Sequence, residues 1–126
     1  MIIVDTSAWV EYFIGSKKGM QIESFLKSGE PIGTPLIVLI EFAIKSEREN
    51  VDSRKQMEFI KTNSIVLDIF ENLVPAVAKN YSDMRKKSKK FSLPDAIIMT
   101  IAKEKKALVL TCDFDFNGIE NTKIVC

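Results

Sequence analysis

Met1-Ile-Ile-Val-Asp5-Thr-Ser-Ala-Trp9 is the stretch on which the reading of this chain turns. Its aliphatic, β-branched opening reads as a short strand buried on both faces. The run stops on a carboxylate. Thr6 and Ser7 favour caps and turns, and Ala8 to Phe13 begins a helical pattern. Open α/β sheets gather ligands outside the carboxyl ends of their strands, which is where Asp5 falls. A negative charge at the mouth of a buried core is costly unless partnered, so a positive group is expected beside it. The plainer alternative is that Asp5 only caps the following helix.

The 126 residues suit one domain, 1–126, with an ordinary balance of 46% hydrophobic and 28% charged residues. No apolar run approaches the ~20 residues of a membrane span. The start lacks a basic segment and leads straight into a strand, which argues against a cleaved signal peptide. Cys112 and Cys126 have neither metal-ligand spacing nor a disulfide-framework pattern, which fits a reducing cytosol; whether they bridge stays open. The chain has no histidine. That removes His-dependent triads, HExxH zinc sites and His-based acid–base schemes. Any metal must then be held by oxygen, which favours Mg²⁺ or Mn²⁺. GxxxxGK[ST] and GxGxxG loops are also missing. With a net charge of +1, any basic surface must be local.

Further along, a loop over Gly15-Ser-Lys-Lys-Gly19 precedes a helix from Met20 to Leu26, which Ser28-Gly-Glu-Pro31 ends. Ile32-Gly33 allows at most a two- or three-residue strand. Thr34 as N-cap and Pro35 at N1 predict a helix start. Leu36 to Ile44 then runs apolar nearly all round, broken only by Glu41, which predicts a buried helix; a strand is the alternative. Val51–Lys61 reads as a helix with Met57, Phe59 and Ile60 inward, and Ser64–Ile69 as a strand in which Asp68 is structural. A helix from Asn72 to about Lys87 ends in Arg85-Lys-Lys-Ser-Lys-Lys90. Those cations either complement a helix C-terminus or form a phosphate-binding rim. Ser92 and Asp95 fit a capping pattern ahead of the apolar Ala96–Ala102. Ala107–Thr111 is a strand followed by Asp113 and Asp115, and Lys123–Val125 offers a last edge strand.

Alternating strands and helices predict an α/β fold with a parallel sheet covered on both faces. Right-handed crossovers put Asp5 and Asp113 on one edge, with Asp95 opening on the same side. Of the acids set in apolar sequence (Asp5, Glu41, Asp68, Asp95 and Asp113), four can converge. Clustered carboxylates share protons or bind cations. A water-accessible cluster suits Mg²⁺ or Mn²⁺, and attack by metal-activated water on a phosphodiester is the economical chemistry.

At these residues the chain resembles the PIN-domain ribonucleases, and in size the VapC toxins of toxin–antitoxin pairs. Ile3-Val-Asp5-Thr-Ser7 matches the family's first motif and Glu41 in its apolar helix the second. Ser92-Leu-Pro-Asp95-Ala-Ile-Ile98 matches the third, and Leu110-Thr-Cys-Asp113-Phe-Asp-Phe116 the last. The resemblance implies a three-layer α/β/α sandwich and a metal-dependent endoribonuclease. Asp5, Glu41, Asp95 and Asp113 would form its acidic quartet, with Asp5, Asp95 and Asp113 nearest the metal. Thr6 and Thr111 would steady neighbouring acids, and Asp115 would be an extra ligand or a surface acid. RNA affinity would depend on Lys17, Lys18, Arg85, Lys86, Lys87, Lys89 and Lys90. The resemblance also implies a cytoplasmic homodimer and a cognate antitoxin that blocks the cleft. The alternatives are an RNA-processing PIN nuclease without antitoxin, a phosphotransfer or Mg-binding module, and a binding module with a vestigial site. A dehalogenase-type site would want an Asp where Ser7 stands.

Overall fold

The computed structural model describes residues 1–124. The opening run forms strand β1 (Ile2–Val4), wholly buried, and passes through Asp5 into helix α1 (Thr6–Ile14). Helix α2 (Lys17–Leu26), strand β2 (Ile32–Pro35), helices α3 (Leu36–Arg48) and α4 (Arg54–Asn63) and strand β3 (Ile65–Leu67) complete the first half. The second half holds α5 (Val74–Lys87), α6 (Leu93–Lys105), β4 (Leu108–Thr111) and β5 (Thr122–Ile124). All strand pairs are parallel, in the order β3-β2-β1-β4-β5, with Ile2 opposite both Ile32 and Leu108. Helices flank the sheet in the expected α/β/α arrangement. The order steps outward from β1 to β3, then restarts on the other side of β1 with β4. That reversal opens a crevice between the ends of β1 and β4.

The core lies between the sheet and its helices. Trp9 is fully buried and stacks with Phe13, while Tyr12, Phe13, Phe42 and Phe59 pack around one another. Such ring pairs add to the apolar area they bury.

Three local expectations change. Gly19 lies inside α2 and not in a loop, because α2 packs on α1 so closely that a Cβ at Gly19 would sit 2.3 Å from the Glu11 carbonyl oxygen. The residue is there for close approach. Thr34 does not cap α3. It belongs to β2, where its Oγ1 accepts from Trp9 Nε1 (3.2 Å) and shares a hydrogen bond with Ser64 Oγ (2.8 Å), so burial of the indole took the hydroxyl that a cap would have used. The Leu36–Ile44 run is helical, but only one side of it is covered. Val38, Leu39 and Phe42 are buried, whereas Leu36, Ile40 and Ile44 are 39%, 46% and 50% exposed. Val125, the last residue of the expected edge strand, lies outside the described residues. So does Cys126, and with it the question of a Cys112–Cys126 bridge.

Candidate active site

The crevice is a cleft of about 500 Å³. Its floor is the junction of β1 and β4, and Asp5 joins them. Asp5 is 4% exposed. Its Oδ1 accepts from the Ala8 amide (3.0 Å), capping α1, and from Ser7 Oγ (2.8 Å); Thr111 Oγ1 donates to Oδ2. The same Thr111 hydroxyl accepts from the Asp113 amide (2.9 Å), and Ser7 Oγ accepts from the Cys112 amide (2.9 Å). Among the described residues no cation pairs with Asp5; hydroxyls and an amide take the place of the positive group expected there. Capping and cleft lining are therefore both true of it. Burial raises its pKa to about 6, against the lowering effect of the Thr111, Ala8 and Ser7 hydrogen bonds, and the charge of Asp113 adds slightly.

Glu41 enters from α3, where its position in an otherwise apolar run turns it inward. Thr6 Oγ1 donates to its Oε1 (2.9 Å). Burial raises its pKa, with the charges of Asp95 and Asp113 adding to the effect. Asp95 opens α6 in a capping box: its Oδ2 accepts from the Ser92 amide (3.0 Å), and Ser92 Oγ accepts from the Asp95 amide (3.3 Å). Its pKa is also raised, by burial first and then by Asp113 and Asp115. Asp113 caps a short 3₁₀ turn over Phe114–Phe116 and accepts from the Asp115 amide (2.8 Å).

Asp5, Thr6, Glu41, Asp95 and Asp113 all line this cleft. One carboxylate oxygen from each of Asp95, Asp113 and Asp115 lies within 4.8 Å of the other two. The donor set is entirely oxygen and crowded with negative charge, which fits a hard divalent cation. Asp5 touches the cleft from below, with its oxygens already in hydrogen bonds.

The cations divide. Lys18 lines the cleft, whereas Lys17 is exposed beside it. Arg85 serves the loop after α5, donating to the Lys89 and Phe91 carbonyls (2.6 and 3.3 Å), with its guanidinium over Tyr81. Lys86, Lys87, Lys89 and Lys90 are exposed on the segment that leads into Ser92. Several cleft residues escaped the sequence reading as site residues, among them Ser7, Glu11, Lys45 and Phe114. Lys45 follows Glu41 by four residues, one helical turn along the same face, so spacing could have found it. Ser7 could have been found as the hydroxyl two residues after a strand-end acid. Glu11 and Phe114 carried no such signal.

Comparison with known proteins follows the same lines. The family profile of the PIN domain matches residues 2–121. No curated protein sequence matches. Among solved structures, a toxin–antitoxin complex from Klebsiella pneumoniae contains a chain 22% identical with a TM-score of 0.72, covering 100% of this chain and 98% of that one. VapBC2 from Rickettsia felis, bound to a DNA fragment from its promoter, gives 16% identity and a TM-score of 0.76, covering 98% of each chain. VapC20 of Mycobacterium tuberculosis, a toxin that cleaves the sarcin–ricin loop, gives 19% and 0.69 over 96% of this chain and 98% of that one. At such identities the likeness is one of fold. The profile match spans nearly every element from β1 to the edge of β5, and on that ground this chain belongs to the PIN domain family.

Proposed function

We infer that the protein is a metal-dependent endoribonuclease and the toxin component of a toxin–antitoxin pair. The observation that carries this reading is the convergence of Asp95, Asp113 and Asp115, the first two of which line a cleft together with Asp5 and Glu41. Asp95 and Asp113, with Asp115 and Asp5, are the residues that would hold Mg²⁺ or Mn²⁺. When bound, the ion supplies positive charge against a phosphoryl oxygen and acidifies water. The chain's own groups do the rest. Thr111 and Ser7 fix Asp5, Thr6 fixes Glu41, and the Ser92 cap fixes Asp95, so the acids are oriented before substrate arrives. Glu41 is half-buried, and burial raises its pKa above the usual carboxylate range, which suits its carboxylate to accept a proton. Lys18 contributes positive charge at the cleft wall.

The toxin reading is supported by the fold shared with proteins crystallised in toxin–antitoxin complexes. It carries with it a cytoplasmic site of action, an antitoxin that covers the cleft, and a homodimer. The exposed Leu36, Ile40 and Ile44 stripe supports a second copy packing there.

The test is cleavage of a mixed set of structured and unstructured RNAs with Mg²⁺, with Mn²⁺ and with chelator, beside Asp95→Asn. Asparagine can still accept from the Ser92 amide, so this variant should fold. Internal cleavage that needs metal and disappears in Asp95→Asn is the expected result. Equal behaviour of the two proteins under all metals would sink the nuclease reading.

A further inference from the structure

The 3₁₀ turn over Phe114–Phe116 carries, between Asp113 and Asp115, an aromatic ring that the acid chemistry leaves unused. Phe114 lines the cleft and is 67% exposed. Single exposed apolar residues are common and usually mean nothing. This one differs in its mounting. The Asp115 amide is held by Asp113 Oδ1 (2.8 Å), the Phe116 amide by the Asp113 carbonyl (3.2 Å), and the Asn117 amide by the Phe114 carbonyl (2.9 Å). Phe116 anchors the turn, buried with its ring 6.0 Å from that of Phe91. The backbone beneath Phe114 is therefore fixed, and its two sequence neighbours are the acids of the convergent set.

A ring at that place gains nothing from a phosphate. What its face holds is another flat, polarisable face. The same cleft presents two ammonium groups, Lys18 and Lys45 (the latter also bridged to Glu49 at 2.8 Å), suited to backbone phosphates. Phosphate-binding cations, a metal-binding acid set and an aromatic platform match the parts of a nucleotide in a strand. We propose that Phe114 is a stacking platform for a nucleobase flanking the phosphodiester in the cleft, so that the site takes unpaired RNA. This rests on the nuclease reading above. Bases inside a duplex are already stacked on both sides and offer no free face, while stacking on an aromatic side chain tolerates any base. Phe114 thus selects strandedness and leaves sequence choice to other contacts.

The experiment measures affinity by fluorescence anisotropy for a short unpaired oligoribonucleotide and for the same sequence in a duplex. Mg²⁺ is present, and an Asp95→Asn background keeps the RNA intact. Phe114→Leu should weaken binding of the unpaired strand about tenfold and leave duplex binding unchanged, and Phe114→Tyr should restore it. In the active protein, Phe114→Leu should raise KM more than it lowers kcat. The platform is overturned if Phe114→Leu binds the unpaired strand normally, if it weakens both forms alike, or if neither form binds. Loss of affinity for a protein partner with RNA binding intact would make the ring a protein contact and overturn it too. The two readings fail separately. Metal-dependent cleavage indifferent to Phe114 leaves the nuclease and removes the platform, whereas Phe114-dependent binding without cleavage by the active protein does the reverse.

Discussion

Asp5 shows how much a single side chain is asked to do. It caps a helix, joins two strands and lines the cleft, and burial lifts its pKa from 3.8 to about 6. The folded state therefore holds a proton on Asp5 over a pH range in which the unfolded chain has lost it. The corresponding stability is fully present below about pH 4 and is lost as pH rises through about 6. A shift of this size corresponds to about 3 kcal/mol. Urea denaturation in chelator at pH 4.5 and 7.5, a window that spans most of that change, should show the wild type losing about 2 kcal/mol more stability than Asp5→Asn. Equal losses would place the pH sensitivity elsewhere. At this scale the sequence was generous with acids; the resemblance pointed to Thr6 and Thr111 as hydroxyls beside them, but not to which carboxylate each would hold. Asp5, Glu41, Asp95 and Asp113 stood out because each interrupts apolar sequence. Nothing local announced that Ser7 and Thr111, more than a hundred residues apart, would meet over one carboxylate.

Elements were legible where the signal was local. The Ser92 and Asp95 spacing read as a capping box, and α6 begins with one. That same box raises the question of what Asp95 is for, and substitution separates the answers. Ser92→Ala removes the cap hydroxyl and should cost about 1 kcal/mol in urea denaturation. It leaves the Asp95 carboxylate on the Ser92 amide, so metal-dependent cleavage should persist. Asp95→Asn should do the opposite, holding stability and losing cleavage. If Ser92→Ala abolished cleavage as fully, Asp95 would act mainly through the helix start. Elements were less legible where tertiary contact overrode the local signal. Gly19 reads as loop in isolation because glycine usually does; only the nearness of α1 makes it a helix residue. Thr34-Pro35 is a sound helix start on paper, but the buried Trp9 indole needed an acceptor and β2 supplied it. An apolar run broken only by Glu41 told that α3 packs, but not that one stripe of it faces outward.

For the whole molecule, the parallel sheet and the placing of acids on one edge followed from alternation of strands and helices alone. The reversal at β1 did not, since sequence patterns do not give strand order. A cation bound only by the folded cleft must stabilise the entire domain, by about 2.7 kcal/mol at a hundred times its Kd. Mn²⁺ should therefore raise the thermal midpoint of the wild type and leave that of an Asp95→Asn, Asp113→Asn double variant unmoved. A similar rise in both would assign the effect to other acids. The strand order also sets a timetable. β1 leaves the ribosome ahead of both its neighbours; β2 follows within a few dozen residues, but β4 begins only at Leu108. Until then Asp5 has no Thr111, and Asp113 has not been made. Domains fold from the N-terminus as they are synthesised, but this cleft cannot close until its last wall arrives. The cleft is thus among the last parts of the domain to be assembled, and a chain that has folded around β1 and β2 still lacks the acids on which any metal site there depends.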